Sequence, residues 1–298
     1  RRRSLRWRQC SGNKLLVGYL TVEGSYDAEI ARGLLRRRMP AALVPLLALG
    51  LILFLLFYGA AFLGRWLGKR TSRSDKDKDP SLVVSSSLGL LALLLGFTVS
   101  MAVSRYDNRR AAVVQEANAI GTFMLRTDLM PEAVRAPTLA ALDRYVAARV
   151  KVGRMGEGIS EVRDAGRITT QAQAEMWREV MQVRQHVPEE SVKILLVESA
   201  NGMFDMATVR DAALANRLPP TLVLLLIFFP IASLILIGYA GGDSLGMHLV
   251  ASTELVLLLT LVLLLIADLN RPRSGSIITP QAALLDVQAQ VKARSIPQ

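Results

Sequence analysis

Residues 95–110 read Leu95-Gly96-Phe97-Thr98-Val99-Ser100-Met101-Ala102-Val103-Ser104-Arg105-Tyr106-Asp107-Asn108-Arg109-Arg110. An apolar run passes into a charged one with no proline between them, so a single helix is predicted to leave an apolar medium and continue in water. Upstream the run reaches back to Leu82, and Leu82–Val103 carries no charged residue. At about 1.5 Å per residue that length crosses the roughly 30 Å of a bilayer's hydrocarbon core. Downstream, Ala112 and Glu116 continue the helical pattern to about Asp128.

Three more stretches reach the same length: Ala41–Leu63, Thr221–Ala240 and Met247–Ala267. The last contains His248 and Glu254, but its thirteen Leu, Val and Ile residues contribute about 0.5 kcal/mol each against about 3 for one acid, so it is expected to insert. The composition agrees: 51% of the 298 residues are hydrophobic and the mean hydropathy is +0.33. The fold class expected is an all-α polytopic membrane protein with four transmembrane helices and a helical cytoplasmic domain between helices 2 and 3. Residues 39–103 would hold the first two spans, 104–219 the cytoplasmic helices, 220–268 the last two spans and 269–298 a cytoplasmic tail.

Basic residues near the spans set the orientation. Gly241–Gly246 has none and is placed outside, which puts Ser104–Pro219, with Arg105, Arg109, Arg110 and Arg217, inside with both termini. The basic loop after span one, with Arg65, Lys69, Arg70 and Arg73, runs against this assignment. Within the inner segment Pro131 opens a helix to about Val152, Gly153, Gly156 and Gly158 form a loop, and Ser160 starts a helix to His186. Pro188 with Glu189 and Glu190 then opens another that ends at Pro219 and Pro220.

The net charge of +11 sits mostly in residues 1–38, which hold ten basic residues and three acids. That leader has no Met and no sustained apolar period. It reads either as an over-extended frame ahead of a natural start at Met39 or as a disordered basic arm drawn to acidic lipid. From 104 to 219, sixteen basic residues face fifteen acids, a balance that argues against a nucleic-acid surface.

One cysteine and two histidines exclude an intrachain disulfide and the usual zinc sites. No nucleophile with a base, phosphate loop or metal-ligand spacing appears, so neither an enzyme nor a cofactor is expected. Polar stripes remain. Arg105, Arg109 and Glu116 share one face of the second helix, Asp107 lies between the two arginines in sequence, and Glu198, Asn201 and Asp205 share a face of the last inner helix. They read either as an ion-pair network docking two helices or as an ion vestibule. Glu254 is the one acid well inside a span. It reads as a residue facing a wet pore entrance, with Ser85, Ser86 and Ser87 as donors at comparable depth, or as one snorkelling to the interface. Small residues at four-residue spacing, Gly96 with Ser100 and Ala117 with Gly121, are candidates for close helix contact between copies.

Leu95-Gly96-Phe97-x-Val99 followed by Arg105 resembles the second transmembrane helix of bestrophins. The wider pattern is similar to a bacterial bestrophin-like family: Gly96 to Arg110, Glu116-Ala117-Asn118-Ala119-Ile120-Gly121-Thr122, Asn201 with Asp205, Arg217-Leu218-Pro219-Pro220, and Asp268-Leu269-Asn270-Arg271-Pro272. The resemblance covers Met39 to about Asp286. It implies an ion channel of the bacterial inner membrane, a homo-oligomer on the bestrophins' pentameric pattern, in contact with lipid and small ions. It also implies a hydrophobic neck at Gly89, Leu93 and Phe97 on the second span. Gly89 departs from the large apolar residue expected there, and the acidic calcium cluster of animal bestrophins is missing after Asp268. The alternative is a non-conducting membrane scaffold or signalling protein whose inner helices bind a partner.

Overall fold

A computed structural model describes residues 25–70, 81–240 and 245–295. The elements there are helical: α1 Ser25–Arg70, α2 Ser81–Arg126, α3 Glu132–Arg154, α4 Ile159–His186, α5 Glu190–Ala215, α6 Pro220–Ala240, α7 Leu245–Leu269 and α8 Ala282–Ser295. A single 3-10 turn, Thr127–Leu129, follows α2. The chain divides into two compact units, 1–40 and 41–298. In the first, residues 1–24 lie outside the described residues, and with them most of the expected leader. From Ser25 the backbone is helical, and Ala28, Glu29, Ala31, Leu34 and Leu35 are residue types that favour helix without any amphipathic period.

In the second unit α1, α2, α6 and α7 each contain a segment long and apolar enough to cross a membrane. Their contacts form one apolar core, with Leu53 and Phe57 from α1, Leu91 from α2, Leu226 and Leu234 from α6, and Val256 and Leu263 from α7. Close approach of α1 and α6 depends on missing side chains. A Cβ at Gly64 would run into the Ile235 carbonyl, and one at Gly68 would come within 2.6 Å of Tyr239 O. The spacing is the small-xxx-small pattern that lets helices meet in lipid.

The second core joins the far half of α2 to α3, α4, α5 and α8. Ile120 and Phe123 meet Leu142, Tyr145 and Val146, with Met176, Met203 and Leu284 closing the cluster. Phe204 receives Tyr145 and Trp177 edge-on, at centroid distances of 5.7 and 6.3 Å. Residues 269–298, expected as a cytoplasmic tail, include a helix. Leu284, Val287 and Val291 recur at i, i+3 and i+7, all buried, and α8 packs on α2 and α3.

Candidate functional site

α2 presents one face that its own chain leaves uncovered. Ser86, Gly89, Leu93, Gly96, Phe97, Ser100, Ser104, Asp107, Asn108, Gln115 and Asn118 are all exposed. The sequence-predicted neck positions are on this face, with Leu93 55% and Phe97 66% exposed. A Cβ at Gly89 or Gly96 would meet nothing within 4 Å. The exposed residues of α1 between Val44 and Leu63, by contrast, include Leu47, Leu51, Ile52, Leu55 and Phe62, with Gly59 as an exposed glycine and no exposed hydroxyl, a surface suited to lipid. On α2, hydroxyls and bare backbone interrupt the apolar face. Of the two small-residue pairs, Gly96 with Ser100 is open, whereas Ala117 is buried within the chain and Gly121 sits against Val287.

Opposite this face, Glu116 is fully buried and binds two arginines that are themselves fully buried. Arg149 Nε donates to Glu116 Oε1, and Arg210 Nη1 donates to Glu116 Oε2 at 2.7 Å. Arg149 also donates to Thr169 at 2.8 Å and to both oxygens of Asp211 at 3.1 Å, while Arg210 Nη2 reaches Gln281 Oε1 at 2.7 Å. Five segments therefore join in one network around this carboxylate and its two arginines: α2, α3, α4, α5 and the loop before α8. Burial alone would lower the pKa of Arg149; Glu116 and Asp211 outweigh it, and the value stands above the ordinary one for arginine. Beside them, burial pushes the Tyr145 phenol well above its usual range, against the opposing Arg149 cation.

Arg109 works differently, without a carboxylate. Its guanidinium donates to the carbonyls of Ala213 (3.3 Å), Asn216 (2.7 Å) and Leu269 (2.8 Å), tying the ends of α5 and α7 to α2. Such carbonyls are the unsatisfied, partly negative ends of helices, and a buried cation suits them. Nearby, Leu218 N–H donates to Asn270 Oδ1 at 2.9 Å, and Asp268 accepts from Ser276 N–H at 2.7 Å, Ile277 N–H at 3.0 Å and the Ser276 hydroxyl. The Arg217-Leu218-Pro219-Pro220 and Asp268-to-Pro272 stretches are thus two sides of one joint.

The structure does not bring the two polar stripes together as a docking network. Glu116 turns to Arg149 and Arg210, and Arg109 turns to carbonyls. Asp107, Glu198, Asn201 and Asp205 are exposed, with only a 4.0 Å approach of Arg126 to Glu198. Arg105 is half-buried, its Nη1 without a partner. Glu254 is exposed on α7; Ser87 is engaged with Ser233 at 2.8 Å and Ser85 with Leu82 O at 3.0 Å. The side chain of His248 lies outside the described residues. His186 is exposed at the end of α4, its Nδ1 3.0 Å from Gln182 O. No cluster of metal-binding residues occurs among the described residues.

Arg149 and Arg210 were not singled out by sequence reasoning, although each falls on an apolar stripe: Leu142, Val146, Arg149 on α3 and Met203, Ala207, Arg210 on α5. A charge placed in such a stripe is the signal that marks a buried ionic site.

Four apolar helices, glycine-mediated contacts between them and a helical core hung from the extended second helix define a polytopic membrane protein. A family model described as a bestrophin-like domain matches residues 52–284, and the chain belongs to the bestrophin-like family. Among solved structures it is similar to two point variants of a bacterial bestrophin homologue from Klebsiella pneumoniae. For one the identity is 14% and the TM-score 0.63, covering 83% of this chain and 99% of that one. For the other the values are 15% and 0.63, with 85% and 99% covered. A crystal structure of a proline-to-alanine variant described as a membrane protein gives 14% identity and a TM-score of 0.65, with 85% and 99% covered. At such identities the likeness shows the fold. No curated protein sequence matches.

Proposed function

We propose that the chain is the subunit of a homo-oligomeric ion channel of the bacterial inner membrane, a pentamer on the bestrophin pattern, with α2 lining the pore. The observation that carries this reading is the uncovered face of α2, where Leu93 and Phe97 alternate with glycines and serines and the stripe continues into Asp107, Asn108, Gln115 and Asn118. A face meant for lipid has no use for hydroxyls and bare backbone, and a face meant for water has no use for an exposed Phe; a narrow pore has use for both. Both termini and helices α3–α5 then stand on the cytoplasmic side. Exposed Glu198, Asn201 and Asp205 are candidates for a vestibule lining. Fully buried Glu116 and Arg109 cannot line one; they hold α2 in place.

Current through planar bilayers from the purified protein, together with its native mass, tests the proposal. A pentamer that conducts supports it, and a silent monomer favours the scaffold reading. Glu254 has its own test: if it faces a pore entrance, Glu254→Gln alters selectivity or its dependence on pH between 5 and 8. Unchanged currents assign it to the lipid interface.

A further inference from the structure

A cavity of about 390 Å³ lies where α6 begins and α7 ends, with Glu157, Asp211, Arg217 and Arg273 among its lining residues. The volume is within the roughly 300–1,000 Å³ usual for ligand sites. Its two acids are already engaged. Glu157 accepts from Arg217 Nη2 and from the Arg273 backbone N–H, both at 2.8 Å. Asp211 is held by both terminal nitrogens of Arg149 at 3.1 Å. The Arg273 side chain is different: its Nε is buried with no hydrogen-bond partner. Burial lowers its pKa, and the charges of Asp211 and Glu157 only partly compensate. The side chain as a whole is part-exposed, and its guanidinium makes no ion pair or hydrogen bond among the described residues; an oxyanion within the cavity would give its terminal nitrogens an acceptor.

The surroundings specify the kind of anion. Arg217 precedes Pro220, the first residue of α6, by three positions, and Arg273 follows Leu269, the last of α7, by four. Both cations therefore sit at the level where apolar spans meet lipid headgroups. The cavity wall also includes Val162, Ala165 and Leu214. On the first turns of α4, Val162 is 52% exposed and Ile159, three residues before it, is 92% exposed. An isoleucine that free of protein contact is poorly placed in water but well placed at the boundary between headgroups and acyl chains.

We propose that this cavity binds the phosphate of an anionic phospholipid, with Arg273 and Arg217 on the oxyanion and the start of α4 against the glycerol and acyl part. A free phosphate ion shares the head chemistry and lacks the apolar half, so the two sources are separable.

The test uses the purified full chain in detergent, with phosphatidylglycerol and phosphatidylcholine adducts read by native mass spectrometry and inorganic phosphate by calorimetry. The variants are Arg273→Gln, which removes the cation, and Gly166→Leu, which fills the cavity without changing charge. A Cβ at Gly166 meets nothing within 4 Å, and leucine is the better helix former, so that variant keeps its fold, as thermal unfolding will verify. The expected result is retention of phosphatidylglycerol over phosphatidylcholine, reduced about tenfold or more in either variant, the scale of one lost charge-assisted hydrogen bond. Inorganic phosphate binding as tightly as phosphatidylglycerol, and lost in the same variants, overturns the lipid assignment. Equal retention of phosphatidylglycerol by the wild type and both variants overturns the site itself. No current is measured, so the outcome does not depend on whether the protein conducts.

Discussion

Within α2, residues 81–104 and 105–126 are buried by different rules. The first part buries Leu91, Thr98 and Ala102; the second buries Arg109, Ala112, Val113, Glu116, Ala117, Ile120, Phe123 and Met124. In hydrocarbon an apolar side chain gains little by turning inward, so an exposed apolar residue in this part is not by itself informative, and the informative residues are the polar ones left outside. Beyond the apolar stretch, water drives the apolar face inward. Any polar group that goes in with it must then be paired, as Glu116 is. One continuous helix thus carries two kinds of information: in its first part what faces out, in its second what is locked in.

The locked-in half is the easier to break. Glu116→Ala leaves Arg149 and Arg210 buried without their shared carboxylate, a change that costs about 3–5 kcal/mol where buried pairs have been broken. Unfolding of the detergent-solubilised protein, followed by fluorescence of Trp177, which borders this core, is expected to show that loss. Exposed Asp205→Ala is the control, expected to stay within about 0.5 kcal/mol. Equal stabilities for the two variants would mean that burial at Glu116 contributes nothing. Next comes Leu284→Ala in α8. A buried Leu truncated to Ala costs roughly 2–5 kcal/mol, depending on how far the site can collapse, and a loss within that range is expected. Faster proteolytic release of the segment after Thr279 is the accompanying readout.

These two variants also mark how far the sequence could be read. The four apolar spans, the breakless continuation of α2 and the proline-led starts of α3 and α5 were legible, because length, missing charge and proline geometry are local properties. α8 was as legible in principle, since Leu284, Val287 and Val291 keep a helical period just after Pro280, but over 14 residues the signal is short and its apolar partners on α2 and α3 are distant in sequence. The pairing of Glu116 was beyond reach for a stronger reason. Arg149 and Arg210 lie 33 and 94 residues after Glu116, and an arginine on a helix ordinarily reads as solvated. The matching of Arg105 and Arg109 to Glu198 and Asp205 rested on charge sign and helical spacing alone. Neither says which face of α5 meets α2.

A smaller effect, again in the locked half, depends on pH. Tyr145 has its pKa raised by burial, so the folded state keeps a proton that the unfolded chain gives up near pH 10. The sign follows: the contribution is complete below about pH 10 and declines above it, by up to about 1.4 kcal/mol per pH unit until the folded-state value is reached. Tyr145→Phe is expected to lack that decline. Unfolding free energies of the two proteins at pH 9, 10 and 11 isolate it from other titrating groups, and parallel curves would show that the phenol is not protected.

The smallest expected effect on stability belongs to the outward half, where the largest effect on function is expected. Phe97 is 66% exposed on its own chain, so Phe97→Ala should change the chain's unfolding by no more than about 0.5 kcal/mol. If Phe97 belongs to a hydrophobic ring, truncation widens and wets the constriction, and single-channel conductance rises; Leu93→Ala acts in the same direction. Gly96→Leu separates the possible neighbours of this face. Within one protomer the added side chain has free space, since its Cβ meets nothing within 4 Å, so any loss of native oligomer mass reports contact with another copy. A conductance rise in Phe97→Ala with a weakened oligomer in Gly96→Leu would place the face between pore and subunit contact. If Phe97→Ala instead lowers protomer stability while leaving current unchanged, the exposed ring packs against something other than a pore, and the outward half of α2 follows the same burial rule as the inward one.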